Sequence, residues 1–448
     1  MTAAVRLDGI AEQVLELAVG AGAEADVHVI AHSEGLTRFA SSFVHQNVAE
    51  EDLRVRLRVA TDGHWATATT NRVDPAALAR LVDTTVAAAR HRPVDPAFPG
   101  LAGPAPAAGT GNWDPATAVT TPDQRAAVVR EFIAAAGGLQ TAGFVSTSSE
   151  RAVYANTAGQ RLTGNSTGAT IDGIARTGSS DGVFRLTAVR LSELSGAEAG
   201  AAAATAAQDA AGPGDLEPGD YEVVLEPSCV MNVLQFLGMY GFSARAVAEG
   251  RSFVRLGEAQ FDPAINLWDD PNDEQSTSLP YDADGTPRHR LDLITDGVTS
   301  AVVHDRRTAA AAGTASTGHA VLGSEQWGPI PVNLRLGTGS GGTAADLAGQ
   351  IERGLWISDF WYTRILDPRT TVVTGLTRNG VWLVEDGKVV RPVRNLRFTQ
   401  SFVDALGPGT VRGVGSAGHS NSDRWTGGTY VVPSLHLASW HFTGGAGG

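Results

Sequence analysis

Histidine and cysteine are the side chains most suited to holding a hydrolytic zinc ion, and this chain has eleven histidines and one cysteine. Zinc hydrolases often carry two histidines and a glutamate on one helix, because neutral imidazoles bind the metal while the carboxylate acts on its bound water. No histidine here is followed by glutamate, so the HExxH pattern is absent. His28 and His32 lie on a predicted strand, where their spacing separates them by about 13 Å. His436 and His441 should face opposite sides of another strand, so neither pair predicts a shared ion.

Two residues could serve as nucleophiles. GNSTG, residues 164–168, matches the G-x-S-x-G elbow of serine hydrolases, with Ser166 at its centre. The elbow requires a strand, a sharp turn and then a helix, whereas the sequence after Ser166 alternates like a strand. Cys229 lies among apolar residues, where burial raises the pKa of a thiol, and we predict a structural role for it.

Two other stretches resemble ligand-binding loops only in part. GTGSGGT, residues 337–343, lacks the lysine of a phosphate-binding loop, and we predict a turn after which Thr343 caps a helix over 344–353. PYDADG begins with Pro280 where a calcium loop needs its first ligand, and Leu291 stands where the last glutamate belongs. Neither phosphate nor calcium is predicted.

The segment from Val224 to Ser243 is the longest nearly apolar run, and it contains Cys229, Asn232 and Gln235. Its amides and its glycine and proline breaks make it a poor candidate for crossing a bilayer. Core packing, or a catalytic helix that has lost its functional groups, remain as alternatives at this point.

Composition limits the classes of function. The chain has 448 residues, a formal net charge of −14 and 42% hydrophobic residues. This length predicts two to four structural units, and the negative charge disfavours nucleic acid as a partner. One cysteine permits no internal disulfide, and charged residues interrupt the first twenty positions where a signal peptide would need an apolar stretch. We therefore expect a soluble protein of the cytoplasm.

The first half alternates between helical and strand-like patterns. A helix is predicted from Leu7, followed by strands that include LRVRLRV and an Asp62-Gly63 hairpin turn. Alternation places Arg54, Arg56 and Arg58 on one face of that strand, and a solvated face is favoured over an anion-binding stripe. Asp74 is the predicted N-cap of the next helix. Residues 92–122 contain seven prolines and predict an irregular excursion.

The second half is mostly strand-like. GPGDLEPGD, residues 212–220, interrupts an alanine-rich helix, and we place a linker there between an N-terminal domain, 1–211, and a C-terminal domain, 221–448. Asn379-Gly380 and Asp386-Gly387 are predicted turns. The predicted fold class is α+β, with an N-terminal α/β domain whose mixed sheet is flanked by helices and a β-rich C-terminal domain.

The C-terminal half resembles the TldD/TldE (PmbA, modulator of DNA gyrase) metallopeptidase family. The resemblance is carried by LWDDPNDEQSTSLPYDADGTPRHRLDLITDGV at 267–298 and by DRRTAAAAGTASTGHA at 305–320, with matching order and spacing downstream. YANTAGQRLTGNSTG, residues 154–168, extends it into the first half. The resemblance implies the fold of that family for nearly the whole chain.

The resemblance also implies a role. TldD subunits are zinc peptidases with an HExxxH helix and a distant cysteine ligand, and TldE subunits lack these ligands and pair with TldD. The metal helix of the family falls at the apolar segment, where this chain has no histidine, and residues 414–437 contain no cysteine. This chain therefore resembles TldE, a pseudoenzyme subunit. We expect no cofactor in the chain and zinc in a TldD-like partner, within a heterodimer or a larger complex that encloses a chamber for cleaving extended or unfolded peptides.

Two groups of residues are assigned by the resemblance alone. The positions where metal ligands have been lost are Cys229, Asn232 and Val233. The residues expected to line the chamber and contact peptide are Asp269, Asp270, Asp282, Gly285, Thr317, Gly318 and Asn333. For the latter set, a structural role in making turns is an equal alternative.

Two other functions remain open from the sequence. The chain could be an independent hydrolase, or one repurposed in a peptide or natural-product pathway, with a metal held by scattered histidines. It could also be a homodimeric peptide-binding protein that has no peptidase partner. No nucleic acid and no membrane is expected as a partner in any of these cases.

Overall fold

The N-terminal half is one antiparallel sheet with helices packed on one of its faces. The computed structural model describes residues 7–422 and 428–445. The sheet has the strand order β3-β2-β1-β4-β5-β6. The helices are α1 (Leu7–Gly20), α2 (Pro75–Arg90), α3 (Pro115–Ala118), α4 (Pro122–Ala135) and α5 (Gly196–Asp209), with a short 3-10 turn at Leu191–Glu193. The strands are β1 (Glu24–Ala40), β2 (Phe43–Thr61), β3 (His64–Thr70), β4 (Gln140–Asn156), β5 (Arg161–Arg176) and β6 (Asp181–Ala188).

Local sequence signals explain several of these boundaries. Asp74 accepts a hydrogen bond from the backbone N–H of Ala77, and Pro75 occupies the first position of α2, as predicted. Asp62 and Gly63 both have positive φ, 49° and 78°, which is the backbone that a tight two-residue hairpin requires.

The sheet is antiparallel throughout, so the prediction of a mixed sheet in this half is wrong. Short hairpins join β1 to β2, β2 to β3, β4 to β5 and β5 to β6, and a hairpin makes its two strands antiparallel. The connection from β3 to β4 passes through α2, α3 and α4, and β4 also pairs antiparallel with β1.

The face of the sheet opposite the helices packs on the C-terminal half. Val27, Leu57 and Val153 point to the helix side and form one core with α1 and α2. Arg58 points to the other side, is only 7% exposed, and lies 2.9 Å from Asp284. The predicted solvated arginine face is therefore wrong at Arg58, because the C-terminal half covers this position.

The proline-rich stretch is irregular, as predicted, apart from α3. It runs along the C-terminal half: Asn112 Nδ2 donates to the carbonyl oxygens of Asp273 and Ser276 at 2.8 Å, and Arg306 donates to the carbonyl of Leu101. The excursion thus helps to attach the two halves to each other.

The C-terminal half contains two sheets. One has the order β10-β9-β8-β11-β18-β17, and the other has the order β12-β7-β19-β15-β13-β14 with β16 beside β19. The helices are α6 (Pro227–Tyr240), α7 (Ala244–Ala248), α8 (Arg306–Ala312), α9 (Ser324–Trp327), α10 (Ala344–Ala348) and α11 (Phe402–Ala405). The strands are β7 (Gly219–Leu225), β8 (Leu267–Asp269), β9 (Leu291–Thr295), β10 (Val298–Thr299), β11 (Leu334–Leu336), β12 (Arg353–Asp367), β13 (Val372–Glu385), β14 (Lys388–Pro392), β15 (Leu396–Ser401), β16 (Val411–Val414), β17 (His419–Ser422), β18 (Thr429–Val432) and β19 (Leu435–Gly445).

The larger C-terminal sheet closes on itself. β12 and β13 pair with each other as well as with their other neighbours, so β12, β7, β19, β15 and β13 form a ring. A closed ring leaves none of these five strands as a free edge. The predicted turn at Asn379-Gly380 is wrong, because both residues lie within β13, where Asn379 has φ 59°.

The fold class is α+β, as predicted. Residues 210–218 join α5 to β7, and the division of the chain into domains at this point stays a prediction. Among the described residues, no helix has the length and the hydropathy needed to cross a bilayer.

Candidate functional site

The apolar segment forms α6, between the two C-terminal sheets. Glu226 precedes the helix in an extended conformation, Pro227 occupies its first turn, and the helix ends before Gly241. Its buried side chains join a core that both sheets share. They are Cys229, Val230, Val233, Leu234 and Leu237.

The three positions where metal ligands were expected to be lost do not converge. Cys229 is fully buried, its Sγ lies 3.7 Å from the carbonyl oxygen of Ile357, and burial raises the pKa of the thiol well above its ordinary range. Asn232 donates to Thr363 Oγ1 at 3.2 Å, and Val233 is 1% exposed and has no donor atom. A zinc ion needs three or four convergent nitrogen, sulfur or carboxylate ligands, and these residues do not fit one. In the whole described part of the chain, no group of three histidine, cysteine, aspartate or glutamate side chains is placed to hold a metal.

An acidic group lies at the start of α6. Trp356 Nε1 donates to Glu226 Oε1 at 2.8 Å. Loss of solvent raises the pKa of Glu226 to about 7, and the nearby Asp359 carboxylate adds to this increase, while the Trp356 hydrogen bond opposes it. Glu226 is thus a carboxyl group that can exchange a proton near neutral pH.

Arg185 places a positive charge beside Asp359, the carboxylate that adds to the pKa increase of Glu226. Its Nε lies 3.2 Å from Asp172 Oδ2 and its Nη1 lies 2.9 Å from Asp359 Oδ2, and Asn379 also donates to Asp359. Burial lowers the pKa of Arg185, but the carboxylates of Asp359 and Asp172 raise it by more, so the guanidinium stays charged. Sequence reasoning missed this cluster, because Arg185 and Asp359 are 174 positions apart and no local motif links them.

Asp269 and Asn333, both predicted chamber residues, are fully buried and bound to each other. Asp269 Oδ2 accepts from the backbone N–H groups of Val332 and Asn333 at 2.8 and 2.7 Å, and Oδ1 lies 3.2 Å from His319 Nε2. Burial alone would raise the pKa of Asp269, but His319 and the Asn333 N–H outweigh it, so the pKa is lowered. Asn333 Oδ1 in turn accepts from Ser278 Oγ at 2.7 Å.

Asp282 and Gly285 form the tight turn expected of them. Asp282 Oδ1 accepts from the N–H groups of Asp284 and Thr286, and Oδ2 accepts from the N–H of Ala320. Burial, with the charge of Asp284, raises the pKa of Asp282 to about 7. Gly285 has φ 73°, and a Cβ there would stand 2.1 Å from the Tyr154 ring, so only glycine fits.

Thr317, Gly318 and Asp270 complete the set. Thr317 Oγ1 accepts from the His304 N–H at 2.7 Å and lies 2.9 Å from His319 Nδ1, which connects it to Asp269. Gly318 has φ 77° and its carbonyl accepts from Arg288. Asp270 and Thr317 are partly exposed, whereas the other five predicted chamber residues are buried. The structure brings most of the set into one network, and contact with peptide stays a prediction.

The serine motif and the two histidine pairs considered in the sequence all lie on strands. Ser166 lies within β5, so GNSTG is part of a strand and has no elbow geometry. His28 is buried, whereas His32 is partly exposed. His436 is buried and lies 2.8 Å from Glu222, and His441 is exposed and lies 2.7 Å from Asp220. The prediction that they face opposite sides of the strand is wrong, because an irregularity between Leu437 and Trp440 sets them opposite Val224 and Asp220, which share one face of β7. Residues 423–427, which belong to the segment where the family resemblance would place a cysteine ligand, lie outside the described residues.

Comparisons with known proteins point to one family. Residues 218–444 match the family described as the PmbA/TldA metallopeptidase C-terminal domain. No curated protein sequence matches the chain significantly.

Solved structures share the fold over almost the whole chain. TldE from Thermococcus kodakarensis is similar with a TM-score of 0.87 at 16% identity, covering 97% of this chain and 100% of its own. A protein from Thermotoga maritima named as a modulator of DNA gyrase has a TM-score of 0.84 at 18% identity, with the same coverage. A protein from Bacteroides thetaiotaomicron with that name has a TM-score of 0.83 at 17% identity, covering 98% of both chains. Because the family match covers half of the chain, this chain belongs to the TldD/TldE/PmbA family of metallopeptidases.

Proposed function

We propose that this chain is the non-catalytic, TldE-like subunit of a peptidase complex in which a TldD-like subunit with an HExxxH helix holds the zinc ion. The observation that carries the proposal is the inward face of α6. Cys229, Val233 and Leu237 on that face are buried in the C-terminal core. A helix whose inward side chains pack as core stabilises the fold and offers no ligands to a metal.

The contribution of this subunit is then the shape of the chamber. An extended peptide can add to the edge of a sheet, because backbone hydrogen bonds recognise an extended conformation more than a particular sequence. β3 and β6 are the edge strands of the N-terminal sheet. Asp270 and Thr317 are the predicted chamber residues that keep access to solvent, so we assign peptide contact to these two and a supporting role to the buried five.

Coexpression with a TldD-like protein tests the proposal. We expect the two chains to copurify, the zinc to be found in the TldD-like chain, and cleavage of an unfolded peptide to require both. A matched control replaces the first histidine of the HExxxH helix in the partner by alanine, which should abolish cleavage while the complex still forms.

Two results would contradict the proposal. If the TldD-like chain alone cleaved the unfolded peptide as fast as the complex does, this chain would have no role in shaping the chamber. Purification from a native extract as a homodimer that never recovers an HExxxH-bearing chain would favour the peptide-binding protein considered above.

A further inference from the structure

Exposed aromatic side chains are concentrated on the second half of β12. This half extends past the pairing of β12 with β7, which ends at Ile357. Trp361, Tyr362 and Leu366 are 46%, 65% and 59% exposed, although they lie within six consecutive residues. Large apolar side chains that cluster at the surface in this way mark a contact with another molecule, whereas single exposed ones do not.

Two arginines stack on these aromatic rings. The guanidinium of Arg378 on β13 lies 4.4 Å from the centroid of the Trp361 ring, and that of Arg364 lies 4.4 Å from the centroid of the Tyr362 ring. A guanidinium carries its N–H groups in its own plane, so stacking on a ring leaves those groups able to bind acceptors.

A third arginine extends the positive charge across the sheet. Trp361 is opposite Leu376 of β13, and Leu376 is opposite Arg397 of β15, so these side chains point to the same face of the ring of strands. Within the described part of the chain, Arg364, Arg378 and Arg397 have no aspartate or glutamate within ion-pair distance. We call this surface the aromatic-arginine patch, and it consists of Trp361, Tyr362, Arg364, Leu366, Arg378 and Arg397.

The backbone at Tyr362 directs its side chain to the surface. The register of β12 on β13 shifts between Trp361 and Arg364, which leaves Tyr362 and Thr363 in a bulge. Tyr362 has φ 55°, a conformation that costs a bulky residue free energy, while Thr363 Oγ1 accepts from Asn232 of α6 at 3.2 Å. The fold thus holds an exposed aromatic side chain beside the helix that corresponds to the metal helix of the family.

The composition of the patch fits a protein surface that carries carboxylates. Tryptophan, tyrosine and arginine are the residue types that contribute most binding energy at protein interfaces. The three guanidinium groups need carboxylates from the partner, because a second copy of the same patch would bring like charges together. The formal net charge of −14 disfavours nucleic acid as the occupant.

We propose that the TldD-like subunit docks on the aromatic-arginine patch, with carboxylates of that subunit bound to Arg364, Arg378 and Arg397. This inference rests on the proposed function. Two subunits of one fold that meet about an approximate twofold axis place corresponding surfaces together. Because the patch adjoins α6 through Thr363, docking there brings the metal helix of the partner towards α6, as a shared chamber requires.

Titration of this full-length chain with a purified TldD-like subunit tests the proposal, and the dissociation constant is the measurement. Trp361→Ala and Arg364→Glu should each weaken binding by at least about tenfold, since aromatic and arginine side chains contribute most to such interfaces. The affinity of the unmodified chain should fall as salt increases, and Arg364→Glu should reduce this salt dependence.

Tyr362→Asn separates docking from folding. Asparagine adopts positive φ more readily than tyrosine, so the thermal stability of the isolated chain should be unchanged or higher. The same variant removes an exposed ring from the patch and should weaken binding of the partner by about tenfold. Trp327→Ala and Arg72→Glu are matched controls at exposed residues outside the patch, and both should bind the partner as the unmodified chain does.

The possible failures can be told apart. If the unmodified chain does not bind the TldD-like subunit, the proposed function is contradicted and this inference with it. If the unmodified chain binds and the three patch variants bind equally well, only this inference is overturned. Self-association that is lost in Trp361→Ala would show that a second copy is the occupant. Tighter binding of a single-stranded oligonucleotide, lost in Tyr362→Asn, would show that the occupant is nucleic acid.

Discussion

Arg185 Nη1 lies 2.9 Å from Asp359 Oδ2, and this ion pair joins β6 of the N-terminal sheet to β12 of the C-terminal ring. The same guanidinium contacts Asp172 on β5, and Asp359 adds to the electrostatic environment of Glu226 at the start of α6. Arg185 therefore links the two halves of the chain through Asp359, the carboxylate that helps to raise the pKa of Glu226.

Removal of Arg185 should destabilise the chain strongly. In Arg185→Ala, the buried Asp359 loses its positive partner, and breaking a buried pair costs about 3 kcal/mol or more. Arg176→Ala is the matched control, since Arg176 pairs with Asp181 in the same hairpin but is half-exposed, and less than about 1 kcal/mol is expected. Urea unfolding measures the free energy of unfolding of both variants. Equal losses would show that the buried Arg185–Asp359 pair stabilises the chain no more than an exposed pair does.

Cys229 should be unreactive in the folded chain. Its thiol is fully buried and its pKa is raised, so little thiolate is present at neutral pH. Labelling with a thiol reagent should be slow in buffer and complete in denaturant. Rapid stoichiometric labelling of the native protein would contradict the placement of α6 in the core.

Gly285 should tolerate no side chain. Gly285→Ala places a Cβ into the Tyr154 ring at a backbone with positive φ, so we expect a loss of more than about 2 kcal/mol. Gly313→Ala is the control, because Gly313 has a similar φ of 65° with open space around it, and only about 1 kcal/mol of backbone strain is expected. Thermal unfolding compares the two variants, and equal shifts would mean that contact with Tyr154 is unimportant.

The stability of the chain should depend on pH through Glu226. The pKa of Glu226 is raised from 4.5 to about 7 on folding, so the folded state binds this proton more tightly than the unfolded state. The stability from this group is fully present below about pH 4.5 and is lost as pH rises through about 7.

Glu226→Gln should remove this dependence, because an amide oxygen can still accept from Trp356 but does not ionise. The variant should therefore gain stability relative to the unmodified chain as pH rises from 4.5 to 7. Urea midpoints across this range measure the difference, with the exposed Glu12→Gln as control. A constant difference at all pH values would contradict the raised pKa.

Local elements of the fold were predictable from the sequence because their signals lie within a few residues. The Asp74 cap, the Asp62-Gly63 turn and the cap at Thr343 each depend on one short stretch, and all are present. The helix that Thr343 caps is shorter than predicted and ends at Ala348.

Contacts between distant residues could not be predicted. Alternation separated the two faces of β2 correctly, but the burial of Arg58 depends on Asp284, which is 226 positions away. Asn379-Gly380 has the residue types of a turn, yet Arg378 and Val381 on either side pair with Asp359 and Ile357 of β12, so the two residues form an irregularity within β13.

The central claim, that this chain does not cut peptides with a zinc ion of its own, is tested most directly with the isolated chain. The measurement is zinc content after dialysis against excess zinc, together with turnover of an unfolded peptide with and without a chelator. The account predicts well under one zinc per chain and no turnover in either condition. Stoichiometric zinc, with turnover that the chelator abolishes and added zinc restores, would contradict it.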